Sequence, residues 1–189
     1  MTQQQRRLIW VPIVHSQADL GSLGQAIHQR KVERVGVAAA TQADQAIQQV
    51  WRTIRTAITN LQLPLRRVRL YQDGLPVCEQ AREIVRETAA AGSPNHRLLE
   101  ELIAGGATLM GTESPELLLR EYELARRTLA GEPVPAEESQ QLLQLRDQFI
   151  AQRIADTLQP GEFGLLFLGA LHSLEGKLPT DIKLIRLAI

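Results

Sequence analysis

Gly164-Leu-Leu-Phe-Leu-Gly-Ala-Leu-His172 reads as a buried strand that ends in a histidine. Residues 164–168 are almost wholly apolar, as expected at the centre of a parallel sheet covered on both faces. The segment before it, residues 137–158, reads as a long helix, and Pro160-Gly161 closes it. A helix feeding a buried strand is half of a βαβ unit, so the rest of the chain is read for the same alternation.

The alternation continues in both directions. Residues 8–14 form the first strand candidate, and 18–29 read as a helix weakened by Gly21 and Gly24. A second strand is expected over Arg34-Val-Gly-Val-Ala-Ala39. Residues 44–61 are the clearest helix, with Ile47, Val50, Ile54, Ile58 and Leu61 on one face. A third strand covers 67–72, and Asp73-Gly74 is a turn signal. Helices follow over 79–91 and from 95 or 96 to 104, where Gly105-Gly106 stops the second of them. The fourth strand is 107–111. Ser114-Pro115-Glu116 is a helix start, with Ser as N-cap and Pro at the first helical position, for a helix reaching about Leu129. A terminal strand is expected over 182–189. This pattern predicts a single α/β domain, residues 1–189. Its sheet is mostly parallel, of about five or six strands, with helices on both faces.

Composition narrows the function classes. The 189 residues carry 21 basic and 21 acidic side chains. A nucleic-acid partner is not expected from zero net charge. Arg66, Arg67 and Arg69, with Arg52 and Arg55 on the preceding helix, read as a solvated surface or an anion clamp. Cys78 is the only cysteine, which excludes an internal disulfide and multi-cysteine zinc sites. It reads as a small buried hydrophobe, with a nucleophile as the minor alternative. The polar N-terminus fits neither a signal peptide nor a membrane span. A cytoplasmic protein is expected.

Four apolar runs finish on residues that can do chemistry. Leu8-Ile-Trp-Val-Pro-Ile-Val-His15 and the 164–172 run end in histidines. Arg67-Val-Arg-Leu-Tyr-Gln-Asp73 ends in an aspartate, and Ala107-Thr-Leu-Met-Gly-Thr-Glu113 in a glutamate. In open α/β sheets, ligands bind outside the carboxyl ends of the strands. His15, Asp73, Glu113 and His172 are therefore expected to form one site. Two histidines with two carboxylates suit a divalent metal ion. They suit metal-free acid–base hydrolysis equally. Turn chemistry also accounts for Asp73, and a helix-start charge for Glu113. Arg146-Asp147 lies beside the apolar stripe of Leu142, Leu145, Phe149 and Ile150. Arg146 is expected to reach an anion or to orient a carboxylate. His28 and His96 read as surface or capping residues, and Glu121 and Glu123 as helix surface.

The two ends of the chain resemble the TraB/PrgY, Tiki and erythromycin-esterase/ChaN-like superfamily. That group shows an Arg-Asp or Arg-Asn helix motif followed by a strand ending in Gly-x-x-His. Arg146-Asp147-Gln-Phe-Ile-Ala151 and Leu165-Leu-Phe-Leu-Gly-Ala-Leu-His172 are similar to it. Pro12-Ile-Val-His15-Ser16 is similar to the group's first motif, with Pro12 replacing a glycine. The resemblance implies an α/β fold with both histidines facing one pocket, and hydrolytic chemistry in some members. It also implies an acid after the second strand, which Val35-Gly-Val-Ala-Ala-Ala-Thr41 does not supply. Either Asp73 or Glu113 takes that role, or catalysis has been lost.

Two functions are thus expected to compete. One is an intracellular hydrolase acting on a small molecule, with His15, His172, Asp73, Glu113 and Arg146 as its site and a divalent metal ion as its candidate cofactor. The other is a non-catalytic small-molecule-binding or regulatory protein on the same fold. A homo-oligomer is compatible with either, and a membrane partner is not expected.

Overall fold

Apolar and β-branched runs form five strands: β1 (Arg6–Ile13), β2 (Val68–Gln72), β3 (Thr108–Met110), β4 (Phe163–Gly169) and β5 (Ile182–Arg186). The computed structural model describes residues 5–188. Their order in the sheet is β3-β2-β4-β1-β5, and every pairing is parallel. The fold is α/β, and β4 is the central strand, as its apolar composition demands. The register aligns Gly164 with Leu8 on one side and Arg69 on the other. A Cβ at Gly164 would stand 2.5 Å from a methyl of Leu8, so only glycine lets that neighbour pack.

Six α-helices connect the strands: α1 (Gly24–Val35), α2 (Val37–Asn60), α3 (Ala81–Ala90), α4 (Pro94–Ala104), α5 (Pro115–Leu129) and α6 (Ala136–Thr157). Helices α2, α3 and α4 cover one face, where Trp51, Ile54, Val85 and Leu99 meet Val11, Leu70 and Phe167. Helix α6 covers the other face, packing Ile150 and Ile154 on Leu8, Tyr71 and Leu166. Helix α5 buries no residue. Among the described residues, no helix is long and apolar enough to cross a membrane.

The strand expected over 34–39 is absent. Residues 34 and 35 end α1, and 37–39 begin α2, with Gly36 at φ +81 between them. Alanine is the strongest helix former, and this run is exposed rather than sandwiched. Arg67-Val-Arg-Leu-Tyr-Gln-Asp73 therefore leads into the second strand, not the third. The helix expected over 18–29 is also divided. Residues Gln17–Leu23 form a 3-10 segment kinked at Gly21, and α1 starts at Gly24.

Candidate functional site

Each strand-end residue stands where its strand runs out. His15 is two residues past β1, Asp73 directly follows β2, Glu113 lies beyond β3, and His172 follows β4. The backbone holds these ends close together. The Asp73 N–H donates to Phe167 O at 2.8 Å, which carries the β2–β4 ladder one step further. The His172 N–H donates to Gly169 O at 3.2 Å, folding the chain back after β4.

Asp73 is the centre of the cluster. Its Oδ2 accepts from the Gly169 N–H at 3.0 Å, and its Oδ1 accepts from Arg146 Nη2 at 3.0 Å. His15 Nε2 lies 3.5 Å from Oδ2, and His172 Nε2 lies 3.6 Å from Oδ1. Those two gaps exceed a direct hydrogen bond, so either ring can turn to a third oxygen between them. A Cβ at Gly169 would come within 3.1 Å of Asp73 Oδ2, so glycine keeps this approach open.

Arg146 holds the carboxylates in place. Its side chain is only 5% exposed. Nε donates to Glu113 Oε2 at 2.6 Å, Nη2 to Glu113 Oε1 at 2.8 Å, and Nη1 to Glu121. Every guanidinium nitrogen is therefore committed to a carboxylate. Arg146 orients carboxylates. Glu113 is also fixed by the Gly74 N–H, 2.7 Å away. Glu121, expected as plain helix surface, is exposed yet pairs with Arg146.

Asp147 does for His172 what Arg146 does for Asp73. Its Oδ1 lies 2.6 Å from His172 Nδ1, and its Oδ2 accepts from the Ser173 N–H at 3.0 Å. The adjacent pair Arg146-Asp147 thus grips both halves of the cluster from one turn of α6.

These contacts set the protonation states. Burial works against a charged His172, but Asp147 and Asp73 outweigh it and push the ring up to about 9. The contact with Asp73 raises His15 above the ordinary histidine range. Burial favours a neutral Asp73, yet His15 and His172 hold its carboxyl well below the usual value. Burial raises Glu113, against the pull of Arg146. Asp73 and Glu113 are thus driven in opposite directions.

A second cluster borders the same space. Asp19 Oδ2 accepts from the Ser16 N–H at 2.6 Å and from Ser16 Oγ at 2.8 Å. Its Oδ1 accepts from Ser93 Oγ and lies 3.1 Å from His96 Nδ1. His96, expected at the surface or in a cap, is instead buried. Burial opposes the Asp19 charge, but bonds from His96, Ser93 and Ser16 hold its pKa below the usual value.

Both clusters open onto one cleft of about 770 Å³ above the sheet edge. Leu20, Leu75, Leu118 and Leu143 give it apolar walls, while His15, Asp73, His96 and His172 supply the polar end.

The donor set does not fit a metal ion. Three of the expected ligands, His15, Asp73 and His172, converge, but Asp73 and Glu113 already share the Arg146 guanidinium. A cation at those oxygens would face a fixed positive charge. Among the described residues, no group of three or more His, Cys, Asp or Glu is arranged to hold a metal.

Other expectations resolve individually. Cys78 is exposed rather than buried, because it follows β2 on a surface turn, and it does not line the cleft. In the basic cluster Arg69 is bidentate to Glu162, Arg55 pairs with Glu101, and Arg66 and Arg67 are exposed. No family model, curated protein or solved structure matches this chain, so the geometry alone carries the functional argument.

Proposed function

We propose that the protein is a metal-independent hydrolase acting on an ester or amide bond of a small molecule with an apolar body. The observation that carries this reading is the Asp73 carboxylate set between two imidazole Nε2 atoms, at 3.5 and 3.6 Å. Asp73 directly follows β2, which supports giving it the carboxylate role.

The roles follow from the proton held on His172 and from the exposure of His15 to the cleft. His172, held as an imidazolium, is the general acid. His15 is 38% exposed and faces the cleft, and it acts as the base. A water oxygen attacks the carbonyl carbon while His15 takes its proton. The carbon–heteroatom bond breaks as His172 gives its proton to the leaving group. Asp73 stays ionised and aligns both rings, and Arg146 and Gly169 hold Asp73. Solvent exchange through His15 and Asp73 restores the proton on His172.

The test is turnover of p-nitrophenyl ester and anilide panels by the wild type and by His172→Gln. The reading expects ester turnover that falls at least a hundredfold in the variant, within the range for general acid catalysis. Equal rates in both proteins, or none in the wild type, would reject it.

A further inference from the structure

His96 has an open nitrogen that the proposed chemistry does not use. Asp19 is ionised and saturated by four donors, so the proton between it and His96 sits on Nδ1. In the neutral ring Nε2 is then an acceptor, and it makes no hydrogen bond among the described residues. Three partnerless side-chain atoms are closed off from solvent among those residues: Gln72 Oε1 and both ends of the Asn95 amide. His96 Nε2 is not one of them. The open space beside His96 is the 770 Å³ cleft, which it lines with Asp19, Ile84 and Thr88. The cavity of about 690 Å³ on the other side of the 3-10 segment does not reach it.

A purely structural role uses only the Nδ1 edge of the imidazole. Ser93 already caps α4, accepting the His96 N–H at 3.0 Å, and Ser93 Oγ already reaches Asp19. His96 Nδ1 adds to that link with contacts to Ser93 Oγ at 2.9 Å and Asp19 Oδ1 at 3.1 Å.

We propose that His96 is a ligand-contacting residue, whose Nε2 accepts a hydrogen bond from a hydroxyl or amide N–H of the molecule bound in the cleft. The contact deepens the hydrolase reading and rests on it for the location of the ligand. It selects an uncharged donor on the ligand and disfavours a carboxylate, which would set lone pairs against lone pairs. His15 and His172 are not free for this contact, because the proposed chemistry uses both rings for proton transfer beside Asp73.

Two substitutions separate contact from scaffold. His96→Asn keeps a donor near the Nδ1 position for Asp19 and removes the distal acceptor. His96→Gln places an oxygen near the Nε2 position. The probes are p-nitrophenyl hexanoate and p-nitrophenyl 6-hydroxyhexanoate, with melting temperature as the folding control. The wild type should favour the hydroxylated ester. His96→Asn should lose that preference by about tenfold, the scale of one hydrogen bond, and His96→Gln should recover part of it. A preference unchanged in His96→Asn overturns the inference and leaves the hydrolase reading standing. Carbethoxylation with diethyl pyrocarbonate, mapped by peptide mass, needs no substrate. His96 should react in the native protein, and an inert His96 overturns the inference. A wild type that hydrolyses no ester rejects the hydrolase reading, and carbethoxylation then decides whether His96 is open to a ligand.

Discussion

Asp147 Oδ1 lies 2.6 Å from His172 Nδ1, and this contact fixes which nitrogen of the ring faces the cleft. The tautomer is therefore set from α6, and the ring's Nε2 is left to Asp73 and the substrate. Asp147→Asn should lower the His172 pKa from about 9 towards its ordinary range. In the wild type, the rate should fall at low pH as His15 is protonated and at high pH as His172 loses its proton. The alkaline limb should lie near pH 9 and move down in Asp147→Asn. A pH–rate profile on p-nitrophenyl acetate checks both limbs. An alkaline limb unmoved by the substitution would remove His172 from the acid role.

Stability should follow pH in a defined direction. The folded-state pKa of His172 is raised above its unfolded value, so the stabilisation is full below about 6.5 and is lost as pH rises through about 9. The side chain is 5% exposed, and the amount is on the order of 3 kcal/mol. Asp73 acts in the opposite sense. Its depressed pKa stabilises above its unfolded value near 4, and that stabilisation is lost only as pH falls well below it. Urea unfolding at pH 7 and pH 9.5 should show the loss in the wild type and much less of it in His172→Gln.

Removing Arg146 should be severe. It is the shared cation of Asp73, Glu113 and Glu121, and a buried ion pair that loses one partner costs about 3–5 kcal/mol. Arg146→Leu should unfold at correspondingly lower urea. Arg146→Lys should recover little, because one ammonium cannot reproduce two parallel bonds to Glu113 and a third to Asp73. Full recovery by lysine would show that only the charge matters.

Metal removal should change nothing. Protein purified without a histidine tag should carry substoichiometric zinc, manganese and iron by elemental analysis. Its melting temperature and ester turnover should be unaffected by EDTA. One tightly held metal per chain, lost in a His15→Ala, His172→Ala double variant, would contradict the engagement of Asp73 and Glu113 by Arg146.

The strand ends were legible because each polar residue directly follows an apolar run, and a parallel sheet delivers all such ends to one edge. Arg146 could also have been placed more firmly. Leu142, Arg146, Ile150 and Ile154 recur every four residues, so the arginine lies within the buried stripe of α6, while Leu145 is exposed. The 34–39 run misled because short apolar stretches do not distinguish strand from helix, and alanine tips the balance to helix. The Asp19–His96 pair left no local signal. Its members are 77 residues apart in the chain. Such pairs follow from tertiary packing, not from periodicity.

The central claim is that Asp73 aligns two imidazoles for hydrolysis. Its most direct measurement is kcat/KM of Asp73→Asn on the best p-nitrophenyl ester, beside the wild type and with circular dichroism to confirm folding. The side chain keeps its size, loses the charge that holds His15 and His172, and sets an amide NH2 against one of the donors from Gly169 and Arg146. The predicted result is a folded protein at least a hundredfold less active. A folded Asp73→Asn with wild-type kcat/KM would contradict the account.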